Sequence, residues 1–576
     1  MSQRGFSLRV DLRQVTVWAD RPISALDGCL VAWVGHLAGD PPDTAARLVS
    51  AYRARGATFS AGLLGQYAGI IVDPTARRVL LFQDSLGLRT LYYAVDGSRL
   101  SVAATLGALA RLLGDTEIEP AYFAQLITDG LPPHHVTPLR GVQRLSLGTT
   151  QRFDGERQQS LRPWSPTPAQ IAPNRDDAER LRALLDEAVD ACLPQSGEVG
   201  CELSGGLDST SVYTTLMRTR PDAHAITLVS GSGLAGDDEA YAGHVVETSG
   251  GRWYCLDIDH YPPHAGLPAL LVGEPGDERL AMRQSAYRDI LERERIAVML
   301  TGGGGDLMFG YRGIPPIHLA DPLRAGHLLG AINGACTWSG QQGGTRPWTH
   351  FFARYGVQPA WRHLRRQSMF TDRDWRPPRW LAGSFARQYG LDRAPARQQA
   401  PRLTTPSTQF LWEGAYRIAT LEASSGFRQH LAADTRFPLF HRPLVEFMLG
   451  LNWALRDSGV RGDVAGDRVL QRAALADRLP LRVAGRQTKG SDQQAREQAD
   501  LRRVDLLERL TRNAQLVARG WVEPAAWRAA VERARFGVYD KLGSFDAAVA
   551  SELWLRIRDT QSPAPPPVLH PCPSSG

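Results

Sequence analysis

The chain has 576 residues, which at roughly 150 residues per domain allows two to four domains. Its composition, with 43% apolar and 22% charged residues, is typical of globular proteins, and no run of about eighteen apolar residues marks a membrane span. The net charge of +6 is small for 66 basic and 60 acidic side chains, so the charge does not indicate binding to nucleic acid.

The cysteines and the first residues of the chain indicate where the protein acts. Six cysteines are spread singly, without the paired spacing of a zinc site or of a disulfide framework. The first residues lack the long apolar segment and the small-residue cleavage site of a secretory signal. We therefore expect a cytoplasmic protein that does not bind a membrane.

The first 160 residues have the pattern of β structure. Short apolar or β-branched segments at 68–72, 79–82 and 91–95 are separated by turns that contain Asp-Pro or Gly. We expect an α+β sandwich domain over residues 1–160. Residues 161–175 contain four prolines and show no periodicity, which predicts an interdomain linker.

A second domain is predicted over residues 176–560. Its first helix begins at Asp176 or Asp177 and carries an apolar stripe at steps of three and four residues. Strands and helices then alternate up to about residue 310, as in a parallel α/β sheet. Residues 320–405 show little periodicity, whereas 408–560 return to helical spacing and predict the helical half of this domain. The Pro- and Ser-rich residues 561–576 are expected to be disordered.

The strongest chemical signal is the string ELSGGLDST at residues 202–210, between a predicted strand and a predicted helix. Its glycines let backbone N–H groups approach an anion, and the following helix N-terminus adds a partial positive charge that favours phosphate. Asp208 stands where Mg²⁺ bound to that phosphate would be coordinated. The string lacks the Gly-Lys-Ser/Thr of a Walker P-loop, and an ordinary glycine turn with a capping serine is the structural alternative.

A second glycine-rich string, TGGGGD at residues 301–306, also follows an apolar strand, predicted at 296–300. Four consecutive glycines leave no side chain between the backbone and a ligand, and Asp306 supplies a second carboxylate for Mg²⁺. A purely structural turn is again the alternative.

The first string resembles the pyrophosphate-binding loop of the ATP pyrophosphatases, enzymes that split ATP into AMP and pyrophosphate while adenylating a substrate. The order and spacing of both strings and of three later ones resemble the asparagine synthetase family over nearly the whole chain. The later strings are RFPLF at 436–440, PLVEF at 443–447 and RQTKG at 486–490. Residues 64–68, 84–89 and 91–93 are similar to the family's glutaminase domain. The resemblance implies an α/β protein with an Ntn-type sandwich, then an ATP-pyrophosphatase parallel sheet that uses ATP and Mg²⁺.

The amino-terminal domain departs from the glutamine-hydrolysing relatives. Those enzymes need a Cys directly after the initiator Met, because its thiolate is the nucleophile and its α-amine is the base. This chain has Ser2 at that position, and its first cysteine is Cys29. Residues 1–173 contain no Asn, so the Asn-Gly pair that would donate to the oxyanion is missing. We expect a structural module without glutaminase activity.

The synthetase domain departs from its relatives at Gly303, three positions before Asp306. Asparagine synthetases have a Glu there, and β-lactam synthetases have a Tyr of their catalytic dyad. We interpret the missing side chain as space for a bulkier substrate. One branch of the family, the lasso peptide cyclases, combines an inactive glutaminase domain, an intact adenylation site and an enlarged acceptor pocket. The resemblance implies that an Asp or Glu side chain of a peptide is adenylated, and that the peptide's N-terminal amine then displaces AMP and closes a macrolactam.

The resemblance also implies roles for individual residues. Asp208 and Asp306 would hold Mg²⁺. The other nucleotide-binding residues would be Ser204, Gly205, Gly206, Ser209, Thr301 and Gly302. Lys489, one of only two lysines among the 66 basic residues, would lie by the α-phosphate or the tetrahedral oxyanion. Glu422, on a helix predicted at 410–427, is the candidate for the base that deprotonates the amine, and a solvated or structural Glu is the alternative.

Two other features have both a structural and a functional interpretation. Asp434, two positions before Arg436, resembles a family Glu, and we favour a salt bridge between the two residues. The Arg- and Trp-rich stretch 338–380 either contacts a peptide or forms an irregular solvated surface.

Two alternatives to a cyclase stay open. One is an amide synthetase for small molecules, of the β-lactam or carbapenam kind, or an amidotransferase that uses free ammonia. The other is a non-catalytic scaffold. A cyclase would take a precursor peptide as substrate, with a leader peptidase to expose the amine and a small leader-recognition protein to deliver it.

Overall fold

The structure is a computed structural model. It describes residues 5–133, 135–155, 157–168, 174–229, 236–257, 273–276, 281–310, 315–341, 343–370, 376–391, 400–424, 431, 433–451, 468–486, 508, 510–560 and 567–572.

The amino-terminal domain consists of two six-stranded antiparallel sheets that pack face to face. Its strands are β1 Ser7–Asp11, β2 Thr16–Ala19, β3 Ser24–Leu26, β4 Cys29–Leu37, β5 Gly65–Asp73, β6 Arg78–Gln83, β7 Tyr92–Asp96, β8 Arg99–Ala103, β9 Gln143–Arg144, β10 Thr150–Asp154 and β11 Arg157–Leu161. The first sheet contains β2-β1-β8-β7-β9, with a strand from the end of the chain paired to β2, and the second has the order β11-β10-β6-β5-β4-β3.

Side-chain alternation along the strands produces the layers of this domain. In β4, Leu30 and Ala32 pack between the sheets, whereas Cys29 and Val31 face the opposite side. Helix α1 (Thr44–Arg55) and a 3₁₀ segment (Gly56–Gly62) cover that side. Helix α2 (Leu106–Leu113) packs on the first sheet and is followed by α3 (Pro120–Asp129). The predicted α+β sandwich is confirmed.

The second part of the chain is built on a five-stranded parallel sheet of order β14-β13-β12-β15-β16. The strands are β12 Glu198–Glu202, β13 His224–Val229, β14 Arg252–Asp257, β15 Ile296–Leu300 and β16 Asp434–Arg436. Its flanking helices are α4 Asp177–Asp190, α5 Leu207–Leu216, α6 Gly236–Ser249, α7 Ala281–Arg293 and α8 Gly305–Phe309. The prediction of a parallel α/β sheet is confirmed.

The strand order of the parallel sheet contains a switch point between β12 and β15. The chain runs outward from β12 to β13 and β14, and then returns to the other side of β12 with β15. Ligands of open α/β sheets bind at such a switch point, beyond the carboxyl ends of the strands. The first glycine-rich string follows β12 and the second follows the neighbouring strand β15. The topology therefore places both strings at the same edge of the sheet.

The remaining described elements are mostly helices. They are α9 Asp321–Arg324, α10 Leu328–Gln341, α11 Trp348–Phe351, α12 Gln358–Leu364, α13 Gly383–Gln388, α14 Pro406–Ser424, α15 Arg442–Gly450, α16 Val469–Ala474, α17 Leu481–Ala484, α18 Gln515–Ala518, α19 Pro524–Ala534 and α20 Leu542–Thr560, with 3₁₀ turns at Ile317–Ala320 and Pro438–Phe440 and a π-helix at Phe352–Val357. Helices α9 to α13 show that the segment 320–405, for which the sequence pattern indicated little regular structure, is largely helical where it is described.

The two halves of the chain share one hydrophobic core. A single apolar cluster contains Tyr122 and Phe123 of α3 together with Trp527 of α19 and Trp554 of α20. Helices α3 and α20 pack directly against each other. The amino-terminal domain is therefore integrated with the helical carboxyl-terminal part.

The prediction that the tail 561–576 is disordered is wrong for residues 567–572. Strand β17 (His570–Pro571) pairs antiparallel with β2 at the edge of the first sheet, and the Cys572 N–H donates to Val17 O at 2.9 Å. An edge strand offers unpaired backbone groups, which satisfy those of the tail despite its prolines. Within the described residues, no helix combines the length and the apolar character that crossing a bilayer requires.

Candidate active site

The first glycine-rich loop connects β12 to α5 and needs glycine at position 205. Gly205 has φ +65°, and a Cβ there would lie 2.4 Å from Tyr241 Cβ. The Ser204 N–H donates to Ser209 Oγ at 3.2 Å, and the two hydroxyl oxygens are 3.1 Å apart. These bonds tie the loop to the first turn of α5, whose N-cap is Gly206. The first turn also contains Asp208, so a carboxylate and the backbone N–H groups of a helix N-terminus lie together.

The second glycine-rich loop connects β15 to α8 and is equally dependent on glycine. Gly304 has φ +92°, and a Cβ there would lie 2.5 Å from the ring of Phe440. Thr301 is buried, and its Oγ1 accepts a hydrogen bond of 3.2 Å from the Gly303 N–H. The threonine thus fixes the loop conformation in addition to its predicted place at the nucleotide.

The two loops touch each other because the second one lacks side chains. A Cβ at Gly302 would lie 2.6 Å from Ser209 N, and one at Gly305 would lie 2.2 Å from Asp208 Cγ. Real Cβ atoms do not approach other atoms this closely. The run of glycines therefore places Asp208 and the start of α5 directly against the loop that carries Asp306.

Asp208 and Asp306 converge on one cationic group. Arg468, at the start of α16, donates from Nη1 to Asp208 Oδ1 and from Nη2 to Asp306 Oδ1. Gln471, one turn along α16, donates to Asp208 Oδ1 at 3.3 Å and to Ser211 Oγ at 3.0 Å. Neither Arg468 nor Gln471 was predicted as a site residue.

The donor set fits a magnesium–nucleotide complex. Mg²⁺ is usually held by one or two carboxylates, with substrate phosphates and water completing an octahedron. The two carboxylates already share a cationic partner, which shows that they can serve one positive charge together. Among the described residues, no group of three or more His, Cys, Asp or Glu side chains forms a metal site, so the remaining ligands would come from the nucleotide and from water.

A second arginine supports the first loop from outside. Arg486 donates from Nη1 to Ser204 O at 3.2 Å and from Nη2 to Asp238. Its guanidinium lies 4.2 Å from the centroid of the Tyr241 ring. Arg486 is the first residue of the RQTKG string, and it contacts the first glycine-rich loop; residues 487–490 lie outside the described part of the chain.

The structure brings together eight of the predicted site residues. They are Ser204, Gly205, Gly206, Asp208, Ser209, Thr301, Gly302 and Asp306. Lys489 lies outside the described residues. Glu422 is half-buried in the last turn of α14, a helix that begins at Pro406 instead of residue 410 and packs against α8. Its role as the base stays a prediction.

The space beside Gly303 is bounded by an aromatic ring. A Cβ at Gly303 would lie 3.4 Å from Phe437 Cδ1, at ordinary van der Waals distance. Phe437 itself is buried, and its backbone N–H and C=O both pair with the side chain of Gln66 in β5, at 3.1 and 2.8 Å. The acceptor space inferred from Gly303 is thus limited on this side by a ring that the amino-terminal domain helps to hold.

The salt bridge predicted between Asp434 and Arg436 is confirmed. Arg436 Nε lies 2.8 Å from Asp434 Oδ2, and Arg89 of the amino-terminal domain pairs with the other carboxylate oxygen. Burial would raise the pKa of Asp434, but Arg89 and Arg436 outweigh it and lower this pKa to about 2. Asp434 therefore connects the parallel sheet to the amino-terminal domain through ion pairs.

The Arg- and Trp-rich stretch 338–380 is divided between core and surface. Trp338 and Trp380 are buried, whereas Trp348 and Trp361 are 39% and 48% exposed. Peptide binding by the exposed tryptophans stays a prediction.

The first cysteine of the chain, Cys29, lies in the core of the amino-terminal domain. Cys29 is fully buried in β4, and burial together with the Asp73 carboxylate raises the pKa of its thiol to about 11. A small cleft lies between the two domains, and its lining includes the polar side chains of His36, Gln66 and His441. Ser2 lies outside the described residues.

Comparison with known proteins covers both halves of the chain. The asparagine synthase family model matches residues 180–556, and the glutamine amidotransferase domain model matches residues 42–165. A glutamine-hydrolyzing asparagine synthetase homologue of Mycobacterium bovis is 27% identical over 279 residues, which are 46% of this chain and 42% of that protein. The glutamine-hydrolyzing asparagine synthetase of Gallus gallus is 28% identical over 174 residues, 29% of this chain and 30% of that protein.

These matches cover less than half the length of either curated relative. Among solved structures, the glutamine phosphoribosylpyrophosphate amidotransferase of Bacillus subtilis, complexed with ADP and GMP, has 11% sequence identity and a TM-score of 0.19. That likeness covers 53% of this chain and 86% of the other.

Proposed function

The chain belongs to the asparagine synthase family, and we propose that it is an ATP-dependent ligase that forms an amide and releases AMP and pyrophosphate. The observation that carries this proposal is the contact between the two glycine-rich loops at the switch point of the parallel sheet. There, Asp208 and Asp306 share one cationic partner beside the N-terminus of α5. This arrangement suits an anion bound together with a cation, as in Mg–ATP.

The proposed reaction has two balanced steps. A substrate carboxylate oxygen attacks the α-phosphorus of ATP, the bond to the β-phosphate oxygen breaks, and pyrophosphate leaves. An amine then attacks the acyl carbon, gives up one proton to a base, and expels AMP, which keeps the carboxylate oxygen. Bound Mg²⁺ would neutralise the charge on the leaving pyrophosphate.

The residues of the chain would bind and orient in this reaction. The hydroxyls of Ser204 and Ser209 and the loop N–H groups would donate to phosphate oxygens. Gly302 permits the close approach of the second loop, and Asp208 and Asp306 would hold the metal. Lys489 would stabilise charge at the α-phosphate or on the tetrahedral oxyanion, and Glu422 would accept the amine proton.

For the substrate, we propose a leader-trimmed peptide that is closed to a macrolactam, as in a lasso peptide cyclase. Two observations support this. Gly303 lacks the side chain that acts in asparagine and β-lactam synthetases, and the only cysteine among the first 160 residues, Cys29, is buried in β4, which argues against the release of ammonia from glutamine. An amine within the substrate removes the need for ammonia and makes the second step effectively unimolecular.

An amide synthetase for a small molecule, or an amidotransferase that uses free ammonia, is the second candidate. The observation that favours it is the ring of Phe437, which bounds the space beside Gly303 and suits a smaller acceptor. A cyclase would in addition work with a leader peptidase and a leader-recognition protein, because its peptide must first expose an amine. In either case we expect action in the cytoplasm.

Product analysis separates the candidates. The purified full chain is incubated with Mg–ATP and a leader-trimmed peptide encoded beside its gene, and AMP, pyrophosphate and peptide mass are followed together. A macrolactam synthetase yields one AMP for each peptide that loses the mass of one water. AMP release driven by small amino acids or ammonia, with the peptide unchanged, overturns the cyclase assignment and supports the second candidate.

A further inference from the structure

Arg468 is a buried arginine that bridges two carboxylates. Its side chain is 6% exposed, and its two terminal nitrogens reach different carboxylates, those of Asp208 (14% exposed) and Asp306 (44% exposed). The two aspartates lie in the first turns of α5 and α8, about 100 residues apart in sequence. A planar guanidinium with a fork of donors suits such bridging, whereas an ammonium group cannot present two parallel donors.

The backbone at Arg468 supports a specific function for this side chain. Its φ is +56°, in the left-handed region that a β-carbon disfavours. Strained residues of this kind persist where their surroundings hold them, and they cluster at functional sites. Gln471 contributes to the same arrangement, since its amide also donates to Asp208. The start of α16 is thus built around the carboxylate pair.

Charge explains what this arrangement does. Without a cation, the two carboxylates would face each other as like charges beside a partly buried loop, which is unfavourable. Arg468 neutralises them, but it also occupies the oxygen atoms that a divalent metal needs. A metal without nucleotide must displace the guanidinium, whereas Mg–ATP brings phosphate oxygens to which the released guanidinium can donate.

We propose that Arg468 is a built-in counter-ion that holds Asp208 and Asp306 in position and yields them to the metal only when nucleotide phosphates arrive with it. This inference rests on the proposed nucleotide site. It makes Arg468 a positioning residue that couples metal binding to nucleotide binding: each becomes tighter in the presence of the other, as linkage requires.

Binding of Mn²⁺ to the nucleotide-free full chain tests the proposal, with free Mn²⁺ followed by electron paramagnetic resonance. We expect Arg468→Gln to bind Mn²⁺ about tenfold more tightly than the wild type. If Arg468 pairs with the two carboxylates in about nine-tenths of the wild-type molecules, only about one-tenth can bind the metal, which weakens the apparent affinity about tenfold. Arg468→Lys keeps the charge but not the fork, so an intermediate affinity is expected. Adding a non-hydrolysable ATP analogue should tighten Mn²⁺ binding more in the wild type than in Arg468→Gln.

Arg478→Gln is the matched control. The side chain of Arg478 is also little exposed, at 7%, and it pairs with a single carboxylate, Asp186, at 2.9 Å between Nη2 and Oδ2. Its loss should lower the thermal midpoint and leave Mn²⁺ affinity unchanged. If Arg468→Gln binds Mn²⁺ no more tightly than the wild type, the proposal is overturned. Should that variant not fold, Arg468→Lys decides instead, and wild-type affinity in it contradicts the proposal.

The test separates this inference from the proposed function. Tighter Mn²⁺ binding in Arg468→Gln, without any AMP formation by the wild type, would support the counter-ion and contradict the ligase. AMP formation without tighter Mn²⁺ binding would support the ligase and contradict the counter-ion.

Discussion

At the scale of single residues, the site depends on what glycine lacks and on what two aspartates share. Gly302 and Gly305 bring the second loop against α5, and Asp208 and Asp306 then lie close enough to share Arg468. The glycines and the aspartates depend on each other, because the two carboxylates can hold one cation only if the two loops are in contact.

Replacement of either carboxylate should abolish the reaction. In Asp208→Asn and Asp306→Asn we expect AMP release to fall to about a thousandth or less, because stabilisation of the leaving pyrophosphate by the metal contributes several kcal/mol. AMP release is measured by chromatography. Asp186→Asn, which alters a carboxylate paired with Arg478 away from the loops, serves as the control and should retain activity. AMP release that survives in both site variants would overturn the metal assignment.

The glycine contacts predict a sharp difference between two alanine substitutions. Gly302→Ala inserts a Cβ 2.6 Å from Ser209 N, so the loops must separate, and a displacement of about 1 Å at a reacting centre costs about a hundredfold in rate. Gly340→Ala in helix α10 meets nothing within 4 Å and should keep full activity with a slightly higher thermal midpoint. Equal activity of the two variants would contradict the packing of the loops.

At the scale of elements, β16 joins the two halves of the chain through charge. Asp434 at its start accepts from Arg436 on the same strand and from Arg89 of the amino-terminal domain. Arg436 also pairs with Asp40 at 3.2 Å. An edge strand of the parallel sheet is thus fixed against the sandwich by a network with little exposure to solvent.

This network predicts a pH-dependent stabilisation. Because the pKa of Asp434 is lowered to about 2 in the folded state, its stabilisation is present at neutral pH and is lost as the pH falls from about 4 to about 2. Asp434→Asn should lower the free energy of unfolding by on the order of 2 kcal/mol at pH 7, with a smaller difference at pH 3. Thermal unfolding of both proteins at the two pH values measures this.

Asp154→Asn is the comparison for Asp434→Asn. Asp154 also pairs with two arginines, Arg78 and Arg152, but it is 38% exposed and lies within one domain. Its loss should cost less than about 1 kcal/mol at pH 7. If the two asparagine variants were equally stable at every pH, the cross-domain network would stabilise the fold no more than the exposed ion pairs of Asp154 do.

A comparison of the helices and strands with the sequence pattern shows which elements could be predicted from the sequence alone. The glycine loops, the parallel sheet and the salt bridge of Asp434 were predictable, because they depend on local strings and on strand–helix alternation. Helices α9 to α13 were not, since their short length and their Arg, Gly and Pro content hide the periodicity. Arg468 was missed for a different reason: its partners lie 260 and 162 residues away, and no local pattern encodes such a contact.

At the scale of the whole molecule, the amino-terminal domain is part of one folding unit. Glu274 is buried and accepts from the hydroxyls of Tyr92 and Tyr122 at 2.9 Å each, with Arg144 Nη1 at 3.4 Å. Burial raises the pKa of this carboxyl in spite of its partners. Its tyrosine and arginine partners belong to the amino-terminal domain, so that domain supplies the surroundings of a segment that belongs to the second domain.

The shared core predicts cooperative unfolding. Calorimetry of the full chain should show one transition, because an interface that is large and apolar couples the two halves. A chain without residues 1–160 should not fold into an AMP-forming protein, since Trp527 and Trp554 would lose part of their apolar surroundings. Two independent transitions, or an active truncated protein, would contradict a single unit and would leave the amino-terminal domain dispensable.

One isotope experiment tests the proposed reaction most directly. A leader-trimmed peptide whose acceptor carboxyl carries ¹⁸O in both oxygens is incubated with the full chain and Mg–ATP, and the masses of AMP and peptide are measured together. A macrolactam ligase transfers one ¹⁸O to AMP and leaves the other in a cyclic peptide. Unlabelled AMP beside an unchanged peptide would show that the carboxylate is not adenylated and would contradict the proposed function.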